Sequence, residues 1–463
     1  MKQLTLLLCL SLFLGTNTTT LRGSACHPQD KAPNILILLA DDMGYGELGC
    51  YGQEEIKTPN IDALAEQGLR FTDFYAGTAV CSPSRAVLFT GVHAGHATIR
   101  GNKGFYPVSG SWDRVALTKS EITIAEMLKN AGYQTAFVGK WHLGLPGDVS
   151  TWAANRGFDY AVQEQWGPKP EGGTFDERVH QVNGREAEIF YDYQEHDCLD
   201  AFRTDLALDF MRKQRDPEKP LFLFMSYRSP HAHEFFLREN DDYKDKGWPE
   251  KERTHASRIT MLDEQIQRLL DELAEMGELE NTFILFTSDN GPHQENGHDE
   301  TFFKSSKGLK GLKRDMYEGG LRVPGIVYWP GKSRKGVTNH QAAFYDIMPT
   351  LAGVAGIEVP EQTDGISFLP EVLGQEQVKH EHLYWELQVV RREEKAEQFR
   401  KAARMGNWKA VRYGVNGTTE LYNLENDVKE TRNVADQFPE IVDRMNKILS
   451  EESEESLHFP YSG

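Results

Sequence analysis

Four short apolar runs recur along the chain, each ending at once in polar residues: "NILILLADD" (Asn34 to Asp42), "QTAFVGKWH" (Gln134 to His142), "PLFLFMSYRSPH" (Pro220 to His231) and "NTFILFTSDNG" (Asn281 to Gly291). None alternates apolar with polar positions, so each predicts a strand covered on both faces, as in a parallel sheet. Between the runs the period becomes helical. "TKSEITIAEMLKNAG" carries a capping-box spacing from Thr118 to Glu121, apolar residues at Ile122, Ala125 and Leu128, and a stop at Gly132. "SRITMLDEQIQRLLDELAEMG" puts Ile259, Leu262, Ile266, Leu269 and Leu270 on one face and ends at Gly277. Strand alternating with helix predicts an α/β domain. After about Pro370 the pattern changes. "MGNWKAVRY" and "TELYNLEND" predict short strands joined by a turn at "GVNG", and "PEIVDRMNKILSE" predicts a helix. A small antiparallel sheet with one helix is therefore expected over residues 373–463, after a larger domain over 26–372. The charged stretch from Arg391 to Arg404 reads as a solvated helix or loop, and the acidic "SEESEES" near the end as surface.

Ligands of open α/β sheets gather beyond the carboxyl ends of the strands. Here those ends carry Asp41, Asp42, Lys140, His142, His231, Asp289 and Asn290. Polar residues open loops in any protein, but these fall into two acid-rich ends and two basic ones. Composition adds exclusions. The chain has 463 residues, 39% hydrophobic and 26% charged, and beyond its start no apolar stretch approaches the ~20 residues of a membrane-spanning helix. At the start, Lys2 precedes a mostly apolar run from Leu4 to Leu14, and a small-residue pattern ends at Ala25. This reads as a signal peptide over residues 1–25 and predicts an exported protein, periplasmic or secreted. A net charge of −19 argues against nucleic acid as a partner. Five cysteines (Cys9, Cys26, Cys50, Cys81, Cys198) show no CxxC or metal-site spacing.

Asp41, Asp42, Asp289 and Asn290 offer only oxygen donors, which suits a hard cation and Ca²⁺ in particular, rather than zinc. Arg85, Lys140, His142, His231 and Lys313 would make a cationic pocket beside it for a tetrahedral oxyanion, a sulfate or phosphate ester. Taken singly, each of these also reads as an ordinary surface charge or structural residue. In "CSPSR", Cys81 to Arg85, a proline in the first turn of the following helix places residue 81 near that helix's N-terminus. Backbone N–H groups there favour an anion, or a thiol of lowered pKa, although no base is obviously paired with it.

"CSPSRAVLFTG" is similar to the Cys-x-Pro-Ser-Arg signature of the sulfatase family, the formylglycine-dependent members of the alkaline-phosphatase superfamily. "GYQTAFVGKWHLG" matches the family's second signature. "LLADDMGYGELGCYG", "TSDNGPH" and "KRDMYEGGLRVP" match further segments, and "MGNWKAVR" with "ELYNLENDVKETRNVA" resembles its C-terminal subdomain. The likeness runs from about Ala32 to about Ala435. It implies an alkaline-phosphatase-like fold with a large, mostly parallel sheet, and oxidation of Cys81 to formylglycine by a maturation enzyme. It also implies one Ca²⁺ on Asp41, Asp42, Asp289, Asn290 and the modified Cys81. Arg85 would then hold the aldehyde hydrate and His142 assist it, while Lys140, His231 and Lys313 bind sulfate oxygens and His231 or Lys313 protonates the leaving alcohol. One departure stands out: the signature often continues Thr-Gly-Arg, whereas here Thr90 and Gly91 lead to Val92. "HAGHATIRGN" resembles segments of sulfatases acting on galactose or N-acetylgalactosamine sulfates, making His96 and Arg100 candidate contacts to a sulfated glycan. Two rivals stay open: a phosphatase or phosphodiesterase of the same superfamily, and a non-catalytic glycan binder that keeps an unmodified Cys81.

Overall fold

The four apolar runs become four neighbouring parallel strands in the spatial order Thr282–Ser288, Asn34–Asp41, Leu221–Pro230 and Gln134–Gly139. The computed structural model describes residues 31–164, 179–192, 194–231, 242–389 and 399–460; the expected signal peptide lies outside them. Tyr160–Glu164 continues the parallel set. Antiparallel strands finish both edges, Gly325–Tyr328 on one side and Val179–Val182 on the other, within a ten-stranded sheet of the described residues.

Every residue of the strand Asn34–Asp41 is buried, because it faces a core on each side. Ile35, Ile37 and Leu39 pack with the helices Cys81–Thr90, Ile124–Asn130 and Ile347–Ala355. Leu36, Leu38 and Ala40 pack with Pro59–Gln67, Leu199–Lys213 and Glu250–Glu275. A continuous apolar run is what a strand sandwiched between two helical layers needs. On the Glu250–Glu275 helix, Ile259, Leu262, Ile266, Leu269 and Leu270 are all buried, each contributing roughly 1.5–3 kcal/mol, and Gly277 beyond its end has φ +71°.

The expected helix start at Thr118 is corrected. The helix runs Ile124–Asn130 and is capped by Thr123, whose Oγ1 accepts from Glu126 N at 3.1 Å while Glu126 Oε2 accepts from Thr123 N at 2.8 Å. Thr118 and Glu121 bond to each other in a turn instead. Two capping spacings stand in tandem, and the one whose following residues reach the core nucleates the helix; Ile122 is 40% exposed.

In the C-terminal region, Leu383–Gln388, Phe399–Met405, Trp408–Tyr413 and Glu420–Asn423 form an antiparallel sheet in that order. The helix Pro439–Glu451 packs on it through Met445 and Leu449. Part of the stretch expected to be solvated is thus a strand. Ala402 and Ala403 are buried, Lys401 Nζ donates to the Leu449 carbonyl at 2.9 Å, and Arg404 pairs with Asp73 at 2.6 Å. Three long cations, Arg400, Lys401 and Arg404, around the alanine pair gave the strand a surface-like composition that disguised it; residues 391–398 lie outside the described set. The acidic tail is not plain surface either. Glu452 bridges His93 at 3.1 Å and His382 at 3.0 Å, the Ser453 hydroxyl donates to Glu386, and the Glu454 carbonyl accepts from Arg100 at 2.7 Å. Among the described residues no helix is long and apolar enough to cross a membrane, and Cys50 and Cys81 are free thiols.

Candidate active site

Asp41 closes the central strand, and Asp42 follows it with φ +67°. Consecutive strand residues point to opposite faces; the left-handed turn at Asp42 brings its carboxylate into the same cluster as Asp41. On the neighbouring strand, Gly139 has φ +123°, and a side chain there would collide with the Ser226 carbonyl. That close approach lets Lys140 N donate to Ser226 O at 3.1 Å and sets Lys140 Nζ 2.8 and 2.6 Å from the two oxygens of Asp41. Asp289 accepts from Asp42 N (3.1 Å) and, through its other oxygen, from Arg85 Nε (2.9 Å). Arg85 is fully buried and also donates to the Lys140 carbonyl (2.7 Å) and Ser226 Oγ (2.6 Å). Lys313 Nζ lies 2.7 Å from Asp42 Oδ2 and 3.2 Å from Glu295. His231 Nε2 is 3.6 Å from Asp42 and 3.7 Å from Glu295. The four strand ends do deliver their polar residues to one place.

Cys81 is the first residue of the helix Cys81–Thr90 and is 3% exposed. Its Sγ lies 3.8 Å from Asn102 Oδ1, which also accepts from Ser82 N at 3.3 Å. Arg85 sits one turn further along the same helix, so one short element supplies both the thiol and the guanidinium that grips Asp289. His142, with φ +59°, lines a pocket with Arg114, Trp141, Trp152, Gln163 and Glu164.

Electrostatics follow from packing acids and bases together out of water. Burial would raise the Asp41 carboxyl, but Lys140, Arg85 and Arg228 outweigh it and hold it well below the usual range. Asp289 goes the other way: burial first and the Asp41 carboxylate next push it up to about 6. Burial would lower the Lys313 ammonium, yet Asp42 and Glu295 keep it raised. Burial, then the surrounding cations, holds both His231 and His142 well below the ordinary histidine range, so both rings are neutral near pH 7.

Three carboxylates meet here, each already facing a cationic side chain, beside an amide oxygen that none of these groups satisfies. Asn290 Nδ2 donates to Asp42 Oδ1 (2.8 Å) and to Gly291 O (2.9 Å), while its buried Oδ1 accepts no hydrogen bond from the described residues. That idle oxygen beside Asp41, Asp42 and Asp289 completes an all-oxygen donor set fitted to a hard divalent ion. A ring nitrogen of His231 also lies within 4.8 Å of carboxylate oxygens of Asp41 and Asp42, so distance alone admits a nitrogen donor as well.

His96 and Arg100 do not join the cluster through any of these contacts. His96 Nδ1 pairs with Asp364 at 2.9 Å. Arg100 is 2% exposed and commits its guanidinium to Glu386 (3.0 Å) and to the carbonyls of Ala97 and Glu454. These bonds tie down the loop leading to Asn102. The sequence reading missed Arg228, which lies 3.8 Å from Asp41 and 2.9 Å from Glu164, and also Asn102, Glu295 and Arg314, whose Nη2 lies 2.7 Å from Glu295. Arg228 had a signal, a charge inside the otherwise buried run "PLFLFMSYRSPH"; the others had none beyond their neighbours.

A family model described as Sulfatase matches residues 33–357, and one described as N-sulphoglucosamine sulphohydrolase, C-terminal, matches residues 311–455. The chain is 34% identical over 366 residues to "Arylsulfatase A" of Homo sapiens, covering 74% of this chain and 68% of that one. It is 28% identical to "N-acetylgalactosamine-6-O-sulfatase" of Bacteroides thetaiotaomicron, covering 97% and 98% of the two. Among solved structures, Ps i-CgsB in complex with k-i-k-neocarrahexaose superposes with TM-score 0.78 at 26% identity, over 93% of this chain and 95% of that one. With its signature helix, its strand-end acids and its C-terminal sheet all accounted for, the chain belongs to the sulfatase family and is a sulfatase.

Proposed function

We propose that the protein hydrolyses sulfate esters of a sulfated carbohydrate, with galactose or N-acetylgalactosamine sulfate as the favoured class, using a calcium ion and a formylglycine made from Cys81. The observation that carries this reading is the meeting of Asp41, Asp42, Asp289 and the idle Asn290 Oδ1 with Arg85, Lys140 and Lys313 at the N-terminus of the Cys81 helix. When present, the ion would supply Lewis-acid stabilisation, and the modified Cys81 would supply a nucleophilic oxygen together with a second hydroxyl whose loss of a proton drives sulfate off the first.

The chain's own residues do the rest. Lys140 and Lys313 are placed to neutralise charge on the equatorial sulfate oxygens, and the first-turn N–H groups of the Cys81–Thr90 helix favour an anion beside them. His231 is kept neutral by burial and by Arg228, Lys313 and Lys140. An arriving sulfate ester offsets those cations, so the ring gains a proton as substrate binds and can pass it to the leaving alcohol. His142, neutral for similar reasons, is suited to take a proton from the group at position 81. The relative named N-acetylgalactosamine-6-O-sulfatase and the neighbour solved with neocarrahexaose support a glycan substrate. The reading further includes export and a partner enzyme that generates formylglycine.

A desulfation screen over defined sulfated mono- and oligosaccharides tests it. Sulfate release from galactose-type sulfates is expected, together with an aldehyde or its hydrate at position 81 by peptide mass spectrometry. The reach of His231 to Asp41 and Asp42 favours a phosphatase as the second reading; faster turnover of aryl phosphate than of aryl sulfate would establish that one instead.

A further inference from the structure

Glu47, His255 and His298 form a second group of metal-ligand side chains, separate from the acids that close the strands. They are 0%, 3% and 7% exposed, and one ligand atom from each lies within 4.8 Å of the others. His255 Nε2 is 2.5 Å from Glu47 Oε1, and the other Glu47 oxygen accepts from Gly44 N at 2.7 Å. His298 Nδ1 faces Glu252 Oε2 at 2.7 Å, and Glu252 is itself fixed by accepting from Asp299 N at 2.9 Å. A carboxylate on Nδ1 keeps the proton there and leaves the lone pair on Nε2. That Nε2 is buried and has no hydrogen-bond partner among the described residues.

A histidine oriented by a carboxylate, with its other nitrogen idle beside an imidazole and a second carboxylate, is how zinc ligands are held. His293 also stands close, its ring centroid 5.2 Å from that of His298, but it is satisfied: Nε2 donates to the Pro230 carbonyl (3.1 Å) and Nδ1 accepts from Glu295 N (3.0 Å). It is a wall of the site rather than a ligand. A cavity of ≈ 150 Å³ lined by His255, His293, His298, Arg258 and Glu295 reaches the group and leaves room for a water in the fourth position.

We propose that Glu47, His255 and His298 bind a divalent transition ion of the zinc type, with Glu252 orienting His298. Two imidazoles and one carboxylate suit such an ion and disfavour calcium. The rings of His255 and His298 now stack at 3.8 Å with planes 10° apart. An ion lies in the plane of each ring that binds it, so loading tilts this pair apart, and the His255 proton moves from Nε2 to Nδ1. The ion joins the loop after Asp42, the loop after Asn290 and the helix Glu250–Glu275, and so braces Glu295, which holds Lys313.

The full chain, stripped with a chelator and resupplied with calcium, is titrated with Zn²⁺ against a chromophoric competitor. One tightly held zinc per chain is expected, with Asp41→Asn keeping it. His298→Gln should weaken zinc by about 100-fold or more, and Glu252→Gln by about 10- to 100-fold. Circular dichroism checks that each variant is folded, and Glu252→Gln keeps the question decidable if His298→Gln is not. X-ray absorption at the zinc edge should show imidazole nitrogens in the first shell. No tight zinc, zinc undiminished in the folded His298→Gln and Glu252→Gln variants, or zinc lost in Asp41→Asn overturns the proposal.

Discussion

Asp42 shows how a single backbone angle can make a site. With φ +67° it turns a strand end, which would splay two neighbouring carboxylates, into a paired donor. Around that pair, Cys81, Lys313 and Asn290 have separable tasks. Cys81→Ser should abolish sulfate-ester turnover while leaving the circular dichroism spectrum unchanged, because serine fills the same space but offers one hydroxyl where two are needed. Lys313→Ala removes a buried ammonium from the place where charge develops and should cost about 3 kcal/mol, roughly a hundredfold in kcat. Asn290→Leu deletes the idle oxygen, so activity in a calcium titration should recover only at higher calcium than wild type needs. At this scale most of the site was legible, because acids and bases closing buried strands are unusual enough to notice. The partners of Arg100 were not legible, since its sequence neighbourhood does not disclose that Glu386 and Glu454 lie across it. Glu295 escaped because nothing local marks a loop acid that becomes the partner of Lys313.

Among elements, the four central strands were readable because burial on both faces leaves no polar position to confuse the pattern. The helix after Thr118 was placed too early, for local chemistry offers two caps and only tertiary packing selects between them. Thr123→Ala should therefore destabilise the fold by about 1 kcal/mol in urea unfolding, whereas Thr118→Ala, in an exposed turn, should change it little. The strand Phe399–Met405 was hidden for the opposite reason. Its cations are long enough to leave the sheet and find partners elsewhere, so a buried element carries a surface-like composition.

Across the whole molecule, the acidic tail is tied back to the loop that begins at His93. Gly95 permits this, because a side chain there would strike the Glu452 carbonyl. Hydrogen bonding to His93 leads the causes that lower the Glu452 carboxyl from 4.5 to about 2. A carboxyl depressed on folding stabilises above its unfolded value and loses that contribution as pH falls toward its folded one. Wild type should thus melt above Glu452→Gln at pH 6, with the gap closing between about pH 4.5 and 2 in thermal scans. None of this was visible in the sequence, where an acidic run looks like solvent-facing charge. The same tether sets an order of events on the ribosome. The loop from His93 to Arg100 leaves the exit tunnel about 350 residues before residues 452–454, so its bracing must wait until they too emerge. A stop codon just upstream of Glu452 would thus yield a product with each strand-end acid and base yet without that bracing.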